Sequence, residues 1–170
     1  GKTFAKQWAM MGGILLLMSM DEMLSFHEKL SSVLHGALST SGLFAFAWVI
    51  PGIALVGAVA VLFWPFLRSL PFTIARGIFV AGAVFVIGAL GLEMLAGLVV
   101  SGAGPEVFAS PLYRGLAGIE EGLEGLGVIL LIRTLLAQAA LYVPAVFAAR
   151  PPASVLRLTP QFQMSPGKRG

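Results

Sequence analysis

The sequence contains no cysteine and only a small share of charged residues. The absence of cysteine excludes disulfide bonds, thiolate metal sites and cysteine nucleophiles together. Charged residues make up 11% of the 170 residues and hydrophobic residues 58%, whereas a soluble domain carries about 25% charged residues. So little charge cannot cover a water-exposed surface, and we therefore expect lipid to surround most of the chain.

Four apolar segments are each long enough to cross a hydrocarbon core of about 30 Å as a helix. They are residues 5–26, 43–67, 72–100 and a segment between 116 and 149. Helix is the expected structure because backbone groups in lipid must form hydrogen bonds within their own segment. We expect an all-α bundle of about four transmembrane helices in residues 1–150, followed by an extended cytoplasmic tail in residues 151–170.

The charges of the chain divide between the two sides of such a bundle. Eight of the eleven basic residues fall in the N-terminus, the second connection and the tail: Lys2, Lys6, Arg68, Arg76, Arg150, Arg157, Lys168 and Arg169. The eight acidic residues fall on the other side. The positive-inside rule then predicts that both termini are cytoplasmic, and a bacterial inner membrane is the simplest host. Basic residues at segment ends do not form the patch that nucleic acid requires, so no nucleic-acid partner is expected.

A polar cluster is expected at the outer ends of three spans. In a continuous first helix, Asp21, Ser25 and Glu28 would share one face because their spacing is i, i+4, i+7. The full cluster comprises Asp21, Glu22, Ser25, His27, Glu28, Glu120, Glu121 and Glu124. Carboxylates with a histidine can bind a divalent metal, although the Glu-x-x-His spacing of di-metal bundles is missing. The cofactor is left open between a divalent metal, a bound lipid or pigment, and none.

Two further features concern helix packing. Glu93 and Arg133 are both expected roughly 10–14 Å inside the outer ends of antiparallel spans, where an unpaired charge is costly. We therefore predict a buried ion pair between them. Glycines recur along the fourth span at heptad-like spacing, which predicts a seam for close helix packing. The seam comprises Gly115, Gly118, Gly122 and Gly125.

The first-span motif resembles one found in uncharacterised bacterial multi-spanning membrane proteins. The pattern is Ser-x-Asp-Glu followed by His-Glu at the end of an apolar helix, with Glu-Glu-x-x-Glu near the start of a later helix. Here these residues are Ser19, Asp21, Glu22, His27 and Glu28, then Glu120, Glu121 and Glu124. The resemblance implies that the two motifs lie together in space, and it implies no activity.

Three functions remain open, and no residue is assigned a catalytic role. The first is an accessory subunit that packs against other membrane subunits of a larger complex, by analogy a photosynthetic or respiratory one. The second is a metal-dependent membrane enzyme that uses the outer polar cluster. The third is an ion- or proton-coupled transporter, which would need a polar path to the cytoplasmic side that the inner halves of the spans do not provide. Membrane lipids are partners in every case.

Overall fold

The computed structural model describes residues 4–148 of the chain. The predicted extended tail, residues 151–170, and the domain boundary at residue 150 lie outside the described residues.

All regular elements in the described range are helical, as expected from the apolar composition. The six α-helices are α1 (Ala5–Leu24), α2 (Phe26–Leu38), α3 (Val49–Leu67), α4 (Phe72–Val86), α5 (Glu93–Ala103) and α6 (Pro111–Ala148). Short 3₁₀ turns at Gly42–Phe44 and Pro105–Ala109 precede α3 and α6, and a π-helical segment, Ile87–Leu92, joins α4 to α5. No strand occurs between residues 4 and 148.

The first apolar segment is not one straight helix but two helices that meet at an angle of 74°. Ser25 lies between them in the left-handed conformation, with φ 48° and ψ 49°. This conformation costs a non-glycine residue about 1 kcal/mol, so contacts made by neighbouring residues must hold it in place. The single helical face predicted for residues 21, 25 and 28 is therefore wrong, because the helix axis changes direction at Ser25.

The long helix formed by α4, the π segment and α5 packs antiparallel against α6, and this is the most extensive contact in the described part. Three glycines allow the two helices to approach closely. A Cβ on Gly77 would lie 2.6 Å from the Thr134 hydroxyl, and one on Gly127 would lie 2.9 Å from the backbone nitrogen of Phe85. A Cβ on Gly88 would lie 3.0 Å from the carbonyl oxygen of Glu120. These contacts fix the register of α4 against α6.

Helix α1 runs antiparallel to α3. The rings of Phe4 and Trp8 contact the ring of Phe66, with centroids 5.6 and 4.9 Å apart, at one end of the pair. At the other end, the His27 ring lies 5.0 Å from the ring of Trp48. The start of α2 and the start of α3 therefore lie at the same level of the bundle.

Among the residues that the structure describes, three helices are long and apolar enough to cross a membrane: Val49–Leu67, Phe72–Ala103 and Pro111–Ala140. The α1–α2 pair makes a fourth if it is counted as one broken span. The 19 residues of α3 extend about 28 Å, close to the thickness of a hydrocarbon core. Residues 4–148 are thus all-helical, with three or four helices long and apolar enough to cross a membrane, which confirms the coarser part of the expected fold.

Candidate functional site

The elbow between α1 and α2 is held by the side chain of Asp21. Its Oδ1 accepts a hydrogen bond from the backbone N–H of His27 at 3.0 Å, and its Oδ2 lies 2.7 Å from Nδ1 of the same histidine. The backbone carbonyl of Asp21 also accepts a hydrogen bond from the N–H of Ser25 at 2.7 Å. Ser25 makes no side-chain cap, so Asp21 satisfies one of the free N–H groups at the start of α2 instead.

A large cavity lies below the elbow, between α1, α3 and the α4–α6 pair. Its volume is about 1610 Å³, which exceeds the roughly 300–1,000 Å³ of a typical small-molecule pocket. Apolar side chains from three helices form most of its length, including Met11, Val59 and Phe79. The cavity therefore offers an apolar volume at the depth of the hydrocarbon core.

Acidic residues concentrate at one end of this cavity. Seven of the eight acidic residues of the chain line it: Asp21, Glu22, Glu28, Glu93, Glu120, Glu121 and Glu124. No lysine or arginine lines it within residues 4–148. The serines Ser25, Ser31 and Ser32 and the histidines His27 and His35 also face it. The cavity thus combines apolar walls with a strongly acidic end.

The acidic side chains of different helices are close to one another. The carboxyl groups of Glu93 and Glu120 lie within hydrogen-bonding distance, and Glu124 interacts electrostatically with Glu22 and His27. Residue Glu93 begins α5 directly after the π segment. The wider π turn rotates the residues that follow it, which is a common device near functional sites.

Aromatic side chains border the acidic end. The ring of Tyr113 contacts that of Phe108 at 4.9 Å in an edge-on arrangement, and both residues line the cavity. Trp48 lines it as well, and its buried Nε1 has no hydrogen-bond partner within the described chain. An indole N–H that is buried normally has an acceptor. The oxygen of a water molecule or a lipid head group can serve as that acceptor.

The site does not form a metal centre within the described chain. No three His, Asp or Glu side chains between residues 4 and 148 are placed to hold one ion. The metal-dependent enzyme hypothesis requires three such ligands at about 2.0–2.6 Å from a common point. The residues of the outer polar cluster line one cavity, in a dispersed arrangement around it.

The predicted ion pair between Glu93 and Arg133 is not formed. The one salt bridge among residues 4–148 joins His27 and Asp21. Arg133 is exposed and lies on α6 more than three turns beyond Glu120, the residue that lies against Glu93. It is instead at the level of Gly77, which contacts the neighbouring Thr134. Since Gly77 and Glu93 are sixteen residues apart along one helix, the two charges are separated by about 24 Å along its axis.

The predicted glycine seam of α6 does not contact α4 or α5. A Cβ added to Gly115, Gly118, Gly122 or Gly125 would meet nothing within 4 Å. At 100° per residue, Gly122 is about 200° away from Glu120, which faces the cavity. The seam therefore lies on the outer side of α6, and Gly77, Gly88 and Gly127 provide the close approach.

Two residues of the site are not singled out by the sequence. Trp48 and Tyr113 fit an aromatic belt at span ends, and nothing in their position distinguishes that role from cavity lining. A signal for Tyr113 does exist, because residues 113, 117, 120, 124 and 127 follow one face of α6 and all line the cavity. No comparable pattern marks Trp48, whose place depends on the elbow at Ser25.

The fold and the cavity define a class: a helical protein with three or four helices apolar enough to cross a membrane and an acidic, partly enclosed cavity between them. Within that class, the chain belongs to the family described as Domain of unknown function (DUF8692), whose family model matches residues 1–139. No curated protein and no solved structure matches the chain.

Proposed function

We propose that this membrane protein binds an amphipathic organic cation, with the apolar part of the ligand in the cavity and its charged group at the acidic end. One observation carries the proposal. Seven acidic residues and no lysine or arginine, among the residues described, line a cavity of about 1610 Å³ that is otherwise largely apolar.

The charge at the acidic end favours a cationic ligand. Glu93, Glu120 and Glu124 are half-buried, and carboxylates in such positions repel one another unless a positive charge or a proton compensates. No arginine or lysine of residues 4–148 lines that end of the cavity, so a ligand ammonium group would reduce the repulsion. The rings of Trp48 and Tyr113 at the same end can add cation–π attraction.

The apolar walls of the cavity determine the chemical nature of the uncharged part of the ligand. They follow the spans from the acidic end toward Leu67, at the far end of α3. An acyl or alkyl chain that enters this volume loses contact with water at about 0.8 kcal/mol per methylene group. A single-chain amine or a lipid with an amino head group therefore fits better than a small polar metabolite.

The test compares three probes of equal chain length on the protein in nanodiscs: dodecyltrimethylammonium, dodecyl sulfate and dodecanol. We expect the ammonium probe to bind at least about tenfold more tightly than the sulfate, a difference of about 1.4 kcal/mol. The combined variant Glu93→Gln, Glu120→Gln, Glu124→Gln should remove that preference. Glu106→Gln is the matched control, because Glu106 is acidic but does not line the cavity.

The binding of a ligand in the cavity and the preference for a cationic head group are contradicted by different results. Equal binding of all three probes would contradict the cationic head group and leave an apolar ligand. No saturable binding of any probe would contradict a ligand in the cavity. A preference that survives the triple variant would place the cation elsewhere on the protein.

A second candidate function is that of an accessory subunit within a larger membrane complex. The observation that favours it is the outward-facing seam Gly115, Gly118, Gly122 and Gly125, where a Cβ would meet nothing in the described chain. Small residues of this kind allow the close approach of another transmembrane helix. Gly118→Leu should then reduce co-purification of a partner from native membranes, whereas Gly12→Leu, at an equally open glycine, should not.

The orientation proposed for the protein places both termini in the cytoplasm of a bacterial inner membrane. Its support is that Arg68, Arg76 and Arg133 belong to one level of the bundle, which has no acidic residue, whereas the other level has all the acidic residues and, of the basic residues described, only Lys29 and Arg114. The chain has no cysteine, so single cysteines report the sidedness directly. A membrane-impermeant maleimide on intact spheroplasts should label Ser110→Cys and not Ser69→Cys. The reverse pattern would invert the orientation.

A further inference from the structure

Helix α2 has two faces of opposite character. Its polar side chains Glu28, Ser31, Ser32 and His35 line the cavity. On the opposite face, Phe26, Leu30 and Val33 are exposed to 51%, 43% and 71%. At 100° per residue, the two sets are centred about 180° apart. The polar face of α2 thus borders the cavity and its apolar face is turned away from it. A helix on a water-exposed surface has the opposite arrangement, with its apolar face against the protein.

The position of α2 in the bundle decides what lies against the apolar face. Its first turn is at the level of the first turn of α3, since His27 contacts Trp48, the residue that precedes α3. Helix α3 has the length of a hydrocarbon core, so its first turn marks the boundary of that core. The 74° bend away from α1 directs α2 close to the membrane plane at this boundary.

From these relationships we infer that α2 is an interfacial helix docked on the lipid leaflet of the acidic side, with Phe26, Leu30 and Val33 in the acyl region. The occupant of this face is lipid. The inference does not depend on a ligand in the cavity. It depends on α2 meeting the bilayer along its length, as amphipathic interfacial helices do.

The charge of α2 also matches a lipid surface. Lys29 is the one lysine or arginine of α2, and it flanks the apolar face. Its Nζ donates a hydrogen bond to the carbonyl of Leu24 at 2.8 Å and lies 5.7 Å from the centre of the Phe26 ring. From there the ammonium group can reach lipid phosphates while its methylene stem covers apolar surface.

In this arrangement α2 separates the cavity from the lipid interface. Its polar face borders the acidic end of the cavity, and its apolar face borders the acyl chains. The contacts of Asp21 with His27 fix the position of the first turn of α2.

The test uses the natural absence of cysteine. A single environment-sensitive nitrobenzoxadiazole label is placed at Val33→Cys, on the apolar face, at Ser32→Cys, the neighbouring residue on the cavity side, and at Ser110→Cys, before α6. The protein is reconstituted in phosphatidylcholine–phosphatidylglycerol vesicles with or without lipids carrying a nitroxide near the head group. These positions are exposed or partly exposed, so a substitution there displaces no buried side chain. At Ser110 the substitution also removes the hydroxyl that accepts a hydrogen bond from the N–H of Tyr113.

The lipid-docked helix predicts that the nitroxide lipids quench the label at Val33→Cys at least about twofold more than the labels at Ser32→Cys and Ser110→Cys. Aqueous iodide should show the opposite order. Strong iodide quenching at Val33→Cys would overturn the inference, because the apolar face would then be in water. A label at Val33→Cys that neither quencher reaches would overturn it as well, because another protein surface would cover the face.

Discussion

Asp21 holds His27 by two hydrogen bonds at once, one to the backbone N–H and one to the ring Nδ1. The two residues belong to different helices, α1 and α2, that meet at 74°. One carboxylate therefore closes the elbow, caps the start of α2 and orients the imidazole at the edge of the cavity. With Nδ1 held by the carboxylate, only Nε2 of His27 is directed to other partners.

Loss of the Asp21 carboxylate should open the elbow. We expect Asp21→Ala to lower the free energy of unfolding by about 1–2 kcal/mol, the typical cost of a lost helix cap and a charged hydrogen bond at a partly exposed site. Glu22→Ala, at the next and exposed position, should change it by less than about 0.5 kcal/mol. Unfolding by sodium dodecyl sulfate, followed by circular dichroism in mixed micelles, measures both. Equal effects of the two substitutions would contradict the role given to Asp21.

The register of α4 against α6 makes a second prediction. A Cβ on Gly77 would lie 2.6 Å from the Thr134 hydroxyl, whereas one on Gly118 would meet nothing within 4 Å. We expect Gly77→Val to destabilise the fold by about 1–3 kcal/mol through overpacking. Gly118→Val should be close to neutral in the same unfolding assay. If Gly118→Val were the more damaging change for the isolated protein, the seam on α6 would face α4 after all.

The long apolar helices are the part of the fold that hydropathy predicts. The third span was expected at residues 72–100 and extends over Phe72–Ala103 as three consecutive helical segments. The second was expected at residues 43–67, but its helix begins at Val49 because Gly42–Phe44 forms a separate turn. Apolar residues favour a lipid environment whether they form a turn or a helix, so composition alone does not predict where the turn ends and the helix begins.

The elbow and the helix register could not be predicted from composition. Ser25 adopts a left-handed conformation that glycine or asparagine usually occupies, and serine carries no signal for it. The predicted pairing of Glu93 with Arg133 was based on the distance of each residue from the end of its apolar segment. Helix α6 begins at Pro111, so Arg133 lies about 33 Å along it, toward the opposite end of the bundle from Glu93.

The shape of the cavity allows a steric test that leaves its charges intact. Gly82 lines the cavity and a Cβ there would meet nothing within 4 Å, while Gly57 is equally open but does not line it. Gly82→Leu should therefore fill part of the cavity and weaken binding of dodecyltrimethylammonium by about tenfold, or about 1.4 kcal/mol. Gly57→Leu should leave the affinity unchanged in the same nanodisc titration. If both variants bound the probe like the unmodified protein, the ligand would occupy a different part of the molecule.

The contact between Glu93 and Glu120 predicts a gain in stability when one charge is removed. Two carboxylates within hydrogen-bonding distance repel one another when both are ionised, and a glutamine amide can donate the hydrogen bond without the charge. We expect Glu120→Gln to raise the free energy of unfolding by about 1 kcal/mol, whereas the exposed Glu121→Gln should have little effect.

The pairing itself is tested by a double-mutant cycle, because groups in contact give non-additive effects. Glu93→Gln should give a gain similar to that of Glu120→Gln, and the combined variant should gain less than the two single changes together. Arg133→Gln should leave the effect of Glu93→Gln unchanged, since the register places the arginine about 24 Å away along the helix axis. Additive effects of Glu93→Gln and Glu120→Gln, or a clear coupling of Glu93 to Arg133, would mean that the two acidic side chains do not share this contact in the membrane.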